Sequence, residues 1–202
     1  MKIIIIGSVA AGTSVAAKAR RNDENAKITL YNADYDISYS ACGIPYFLGG
    51  EVEDIETLIP RSPAWFKKRY NVDVFVRYEV TKIDTTQKKV QVKNLETNET
   101  IEDVYDVLVF ATGASPITPV ISGIESNQVF QVRTIQNTAA INQFITERQP
   151  KKATIIGAGY IGLEMAEQLT RRGLEVTLVQ RSNQVLTHID KDIAFTCAGT
   201  LN

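Results

Sequence analysis

The six residues Gly157-Ala158-Gly159-Tyr160-Ile161-Gly162 constrain this chain more than any other stretch. They follow Ala153-Thr154-Ile155-Ile156, an apolar run that reads as a strand, and they open a segment in which Ile161, Met165 and Leu169 recur at four-residue steps, the spacing of one helix face. Gly173 is the expected stop of that helix, and Glu175-Val176-Thr177-Leu178-Val179 reads as the next strand. Three glycines at this spacing between a strand and a helix mark a dinucleotide fold. They permit a tight turn and close backbone approach, and the N–H groups at the helix start face a pyrophosphate. Gly157, Gly159, Tyr160, Ile161 and Gly162 are therefore candidate nucleotide contacts.

The chain opens on a weaker copy of the same pattern. The β-branched run Ile3-Ile4-Ile5-Ile6 suits a strand buried on both faces, Gly7-Ser8-Val9-Ala10-Ala11-Gly12 ends it, residues 13–21 read as a helix with Arg20 and Arg21 at its carboxyl end, and residues 28–31 as a strand. Val9 replaces the middle glycine, and Asn32 stands where an acidic residue is expected to hold a ribose. An ordinary βαβ turn is the alternative reading of this loop. After the second fold's last strand come Gln180 and Arg181. A carboxylate there would suit the free 2′-hydroxyl of NADH, whereas an arginine suits the 2′-phosphate of NADPH. A solvated Arg181 is the alternative.

Between the loops lies Ser38-Tyr39-Ser40-Ala41-Cys42-Gly43-Ile44-Pro45-Tyr46. Pro45 suits the first turn of a helix, Gly43 a close approach, and a thiol just ahead of a helix start sits near positive partial charge. Cys42 is thus a candidate thiolate, with a buried structural cysteine as the alternative. Ser62-Pro63 predicts a helix over 64–70 and residues 72–76 a strand. Residues 79–83, 89–94 and 100–104 read as an antiparallel meander, and residues 107–110 as a buried strand running into Ala111-Thr112-Gly113. A connector with Pro116 and Pro119 leads to a helix over 138–148. The fold expected is α/β: a Rossmann-like domain over 1–115 with an inserted antiparallel β meander, a connector and crossing helix over 116–150, and an incomplete Rossmann-like domain over 151–202.

Bulk properties narrow the function. A net charge of -1 and a pI near 5.9 supply no basic field for nucleic acid. The apolar run at the start is too short to span a bilayer. Cys42 and Cys197 form no disulfide framework, which points to the cytoplasm. No metal site is expected. His188, the only histidine, falls in a loop and is not expected to be catalytic.

The set resembles the flavin-dependent pyridine nucleotide-disulfide oxidoreductases, through Cys42-Gly43-Ile44-Pro45-Tyr46, Tyr105-Asp106, Ala111-Thr112-Gly113 and Gly157 to Glu164. A single cysteine is similar to the branch of coenzyme A-disulfide reductases, NADH oxidases and NADH peroxidases. The resemblance implies FAD on the first fold, contacted by Gly7, Ala10, Ala11, Gly12, Asn32, Val80, Ala111, Thr112 and Gly113, with Cys42 against its ring. It implies NADPH or NADH on the second fold, with Gln180 and Arg181 at the adenosine end. Ser14, Lys18, Arg21 and Ser38 would line a coenzyme A path. Lys67-Lys68-Arg69 would meet nucleotide phosphates or form a solvated helix face.

Ala10 stands where oxidases and peroxidases of the branch commonly carry histidine, which favours a disulfide or persulfide acceptor. Oxygen or peroxide reduction through a cysteine sulfenic acid is the alternative, and an inactive nucleotide-binding remnant is another. Relatives continue into a dimerisation domain, so the chain reads either as an amino-terminal fragment or as a truncated product whose residues 195–202 are not family-like.

Overall fold

A computed structural model describes residues 1–199, with side chains except at 195 and 197–199. In chain order the elements are β1 (Lys2–Ile6), α1 (Ala11–Asn22), β2 (Lys27–Asn32), α2 (Ile44–Gly49), α3 (Pro63–Tyr70), β3 (Asp73–Val76), β4 (Tyr78–Asp84), β5 (Lys89–Asn94), β6 (Thr100–Val104) and β7 (Val107–Phe110). Then follow α4 (Ile135–Arg148), β8 (Lys152–Ile156), α5 (Tyr160–Arg171), β9 (Glu175–Val179) and α6 (Lys191–Gly199). Two compact units result: residues 1–39 with 59–117, and residues 40–58 with the chain from 118 onward. The expectation for residues 195–202 falls largely outside the described side chains.

In the first unit, parallel strands run in the order β3-β2-β1-β7. One face of this sheet packs Ile3, Ile5, Ile28 and Leu30 with Phe66 of α3. The other face packs Ile4 and Tyr31 under Val90 and Val92 of the β4-β5-β6 meander. Burial from both sides explains why β1 is four consecutive isoleucines: Ile4 and Ile5 are each 0% exposed, and burying each contributes about 2 kcal/mol. Tyr31 also donates its hydroxyl to Asp103 at 2.9 Å, and Asp103 pairs with Lys2, so the meander is tied to β1 and β2. Burial and the Asp103 carboxylate both push the Tyr31 phenol above its ordinary range.

Ser62 caps α3 as expected, accepting from the Trp65 amide at 3.2 Å. Arg20 does more than complement its own helix. Its guanidinium donates to the carbonyls of Tyr70 at 2.8 Å and Asn71 at 2.9 Å, which α3 leaves unpaired at its carboxyl end.

In the second unit, β8, α5 and β9 form a parallel βαβ with Lys152 opposite Glu175 and Ile156 opposite Val179. The helix expected over 138–148 begins earlier, at Ile135, because Thr134 and Asn137 form a reciprocal capping box. Asparagine rather than glutamate closes that box, which hid it from the sequence pattern. The short α2 packs on α4 and α5. The Gly49 backbone lies against Gln168, leaving no room for a side chain. Arg172 donates to the Leu48 carbonyl and to Asn142 Oδ1, each at 2.8 Å. Glu51 accepts from Gln168 at 3.1 Å and from Arg171 at 2.5 Å. A six-residue helix cannot hold itself in water, so partners in the second unit decide its place. Residues 40–58 therefore group with the chain from residue 118 onward. Among the described residues, no helix is long and apolar enough to cross a membrane.

Candidate functional site

The second glycine loop is built by space as much as by torsion. Gly157 has φ +109°, and its amide bonds the Val179 carbonyl at 2.8 Å. A Cβ on Gly162 would overlap the Gly157 carbonyl, so the third glycine lets α5 press onto β8. Gly159 caps α5 without a side-chain bond, and the space where its Cβ would lie is open, which leaves the helix start accessible to a phosphate. Tyr160 and Ile161 are exposed on that first turn.

Residues 180–189 return to this loop. Gln180 Oε1 accepts from the Ala158 amide at 3.4 Å, while the Leu186 amide donates to the Ala158 carbonyl at 2.9 Å. Gln180 Nε2 is left to donate to Ser182 at 3.0 Å. The His188 and Tyr160 rings meet at 4.9 Å between centroids. His188, a solitary histidine with no spacing signal in the sequence, is thus set against the first turn of α5.

The first loop repeats the plan. Gly7 has φ +90°, and its amide bonds the Tyr31 carbonyl at 2.8 Å. A Cβ on Gly12 would overlap the Gly7 carbonyl, and one on Gly7 would overlap the Ala111 carbonyl. Ala10 caps α1 with no side-chain bond, and Ala11 opens the helix, so the first N–H groups of this helix also lack a side-chain partner. Ser8 is 5% exposed and its hydroxyl has no partner among the described residues. Leaving a buried hydroxyl unpaired costs about 1–3 kcal/mol, so the loop is suited to receive a polar ligand. A helix start, a cradle without side chains and an orphan hydroxyl together fit the pyrophosphate of FAD.

The other predicted contacts of the first unit sit around that loop to different degrees. Ala111 bonds the Ile6 carbonyl at 2.8 Å, and exposed Thr112 and Gly113 follow it. Val80 precedes a bulge in β4 and turns its side chain toward the meander core. Asn32 is buried, with Nδ2 donating to the carbonyls of Asp34 at 3.0 Å and Asp36 at 3.2 Å. Only its Oδ1 is left for a ribose. Ser14, Lys18 and Arg21 share one exposed face of α1 by their spacing, and Ser38 is half-buried. Lys67 is paired with Asp73 at 2.6 Å and Arg69 lies over the Tyr70 ring, so two of the three cations in that cluster serve the fold.

Cys42 is a free, exposed thiol in the tight turn Ala41–Gly43 directly ahead of α2, which excludes the buried structural reading. Gly43 has φ -82°, and a Cβ there would come within 2.6 Å of the end of the Leu58 side chain, which would have to shift. The Ser40 amide bonds the Leu58 carbonyl at 2.8 Å and closes the turn. Among the described residues, no group of three or more histidine, cysteine, aspartate or glutamate side chains is placed to hold a metal.

Two glycine-loop βαβ units and an exposed cysteine define a protein of the two-dinucleotide oxidoreductase class. The chain belongs to the pyridine nucleotide-disulphide oxidoreductase family, whose sequence profile matches residues 1–202. It is 40% identical over 192 residues to a coenzyme A disulfide reductase of Staphylococcus haemolyticus and 39% identical over 195 residues to an NADH oxidase of Methanocaldococcus jannaschii. These alignments cover 95% and 96% of this chain and 43% of each relative, so the chain spans less than half the length of the proteins it matches. The crystal structure of reduced Bacillus anthracis CoADR-RHD superposes with a TM-score of 0.95 at 41% identity, covering 99% of this chain and 36% of that one. An engineered water-forming NADPH oxidase bound to NADPH superposes with a TM-score of 0.93 at 33% identity, covering 99% and 44%. Its changes include three consecutive positions, aspartate to alanine, alanine to arginine and methionine to serine.

Proposed function

We propose that the protein to which this chain belongs uses NADPH and FAD to reduce a small disulfide of the coenzyme A type, or a persulfide, through Cys42. The observation that carries this reading is the exposed thiol of Cys42 in its braced turn. The names of the similar proteins support the substrate class.

The first glycine loop, with Gly7, Gly12, the Ser8 hydroxyl and the open start of α1, would hold FAD. Bound there, the flavin supplies two-electron exchange between a reduced nicotinamide and a disulfide. The chain's own part is the sulfur chemistry. The Cys42 thiolate attacks one sulfur of the substrate disulfide, the sulfur–sulfur bond breaks, and one thiolate leaves while Cys42 keeps the other half as a mixed disulfide. Two electrons from the reduced nicotinamide restore the Cys42 thiolate and release the second thiolate. On the exposed face of α1, Lys18 and Arg21 supply positive charge for the phosphates of a coenzyme A substrate.

NADPH is favoured over NADH by the end of β9. Gln180 gives its acceptor oxygen to the Ala158 amide and a donor to Ser182, and Arg181 and Ser182 follow with no carboxylate. The engineered NADPH oxidase gained an arginine–serine pair, and Arg181-Ser182 is such a pair.

The test is NADPH-dependent release of thiol from coenzyme A disulfide by the FAD-loaded protein, with Cys42→Ser alongside. Thiol release that vanishes in the variant, while the flavin spectrum stays, is the expected result. Equal thiol release by the variant, or oxygen consumption that persists without any disulfide, would sink the reading.

A further inference from the structure

Resting on the NADPH reading above, we infer that Lys191, which lines one cavity with Ser182, is a second cation after Arg181 for the 2′-phosphate of the bound nucleotide, presented by the strap of residues 180–189. The strap is a continuous hydrogen-bonded loop. Gln180 Nε2 donates to Ser182, the Ser182 hydroxyl donates to the Gln184 carbonyl at 3.0 Å, and Gln184 Nε2 donates to the Ile189 carbonyl at 3.0 Å. Leu186 is buried with φ +48°, an uncommon conformation for a bulky residue, and its amide bonds the Ala158 carbonyl of the glycine loop. The strap is thereby tied to the nucleotide loop at Gln180 and at Leu186, and Ile189 is held in turn by its amide on the Leu186 carbonyl at 3.0 Å, which fixes where the next residues emerge.

Those next residues open α6. Ser182, Asn183, Gln184, Thr187, Lys191 and Asp192 line an open cavity of about 610 Å³ beyond the end of β9. In a dinucleotide fold, the end of this strand is where the adenosine ribose is read. The ammonium of Lys191 and the guanidinium of Arg181 have no ion-pair or hydrogen-bond partner among the described residues. Two unpaired cations, one entering the strap and one leaving it, match a phosphate that carries roughly two negative charges. Asp192 lines the same cavity and opposes that phosphate, so it sets the preference below its maximum.

Calorimetric titration of the full chain with 2′,5′-ADP and with 5′-ADP separates the outcomes. The unmodified protein is expected to bind 2′,5′-ADP about tenfold more tightly than 5′-ADP. Lys191→Ala weakens 2′,5′-ADP about fivefold and leaves 5′-ADP unchanged, Lys191→Arg restores binding, and Asp192→Asn tightens 2′,5′-ADP about twofold. A loss in Lys191→Ala that is equal for both probes, or no loss for either, overturns the role of Lys191. The NADPH reading fails separately if the unmodified protein binds both probes equally. It survives, without Lys191, if only Arg181→Ala abolishes the preference.

Discussion

The two glycine loops share one backbone plan and differ in what surrounds them. Gly7 and Gly157 each bond the last strand of their βαβ at 2.8 Å, each has positive φ, and each presents a carbonyl against the third glycine of its loop. Around Gly7, however, β7 closes in, and the Ala111 carbonyl occupies the place of a Cβ; around Gly157 that place is open. The middle positions differ too. Gly159 is extended with open space beside it, whereas Val9 holds φ +51°, a costly conformation for a β-branched residue, with its amide on the Ile37 carbonyl at 2.8 Å and its carbonyl on Thr13 at 2.6 Å. The motif therefore encodes the turn, while the neighbouring strand decides how much each glycine matters. The helix ends show the same economy, because Arg20 of α1 and Arg172 near the end of α5 each satisfy carbonyls of a shorter neighbouring helix.

The comparison breaks most sharply at the first glycines. Gly7→Ala must strain φ and displace Ala111, and should cost about 4 kcal/mol in urea denaturation read by Trp65, the chain's one tryptophan, which lies in the first unit. Gly157→Ala meets only the torsional penalty and should cost about 1–2 kcal/mol, read by amide exchange along α5. Equal costs at the two positions would show that β7 does not press on the first loop. Val9→Gly makes the first loop like the second; relief of the left-handed strain outweighs the added chain entropy and should raise stability by about 0.5–1 kcal/mol by the same Trp65 readout. A loss instead would mean that Val9 packs more than it strains.

The smallest effect concerns the second unit alone. Hydrogen bonds from Gln168, and then from Arg171, hold the Glu51 carboxyl below its ordinary value of 4.5. A lowered value means that this contribution is full above the ordinary value and is lost as pH falls through the lower folded one. Glu51→Gln should flatten that acid-side loss in melting curves, and an unchanged slope would remove Glu51 from the docking of α2.

Much of this was legible in the chain. Four isoleucines announced a strand covered on both faces, and Ser62-Pro63 announced the start of α3. Glycine spacing announced both loops, since torsion and close approach are local demands. Less was legible at the site. Ser8 occupies a variable motif position, and nothing local signals that its hydroxyl is buried without a partner. Asn32 looked free to meet a ribose, yet its amide nitrogen is committed to the turn after β2.

Taken alone, the sequence determined two strand–loop–helix–strand units, the glycines that each requires, and a cysteine ahead of a short helix. These follow from side-chain period and backbone torsion, which depend on residues a few positions apart. Only the tertiary structure decided that the cysteine helix packs with the second unit, because the bond from Arg172 to Leu48 joins residues 124 positions apart. It also decided that the 180–189 strap folds back on the glycine loop. Such pairings are chosen by which buried carbonyls need donors, and no local pattern records that need.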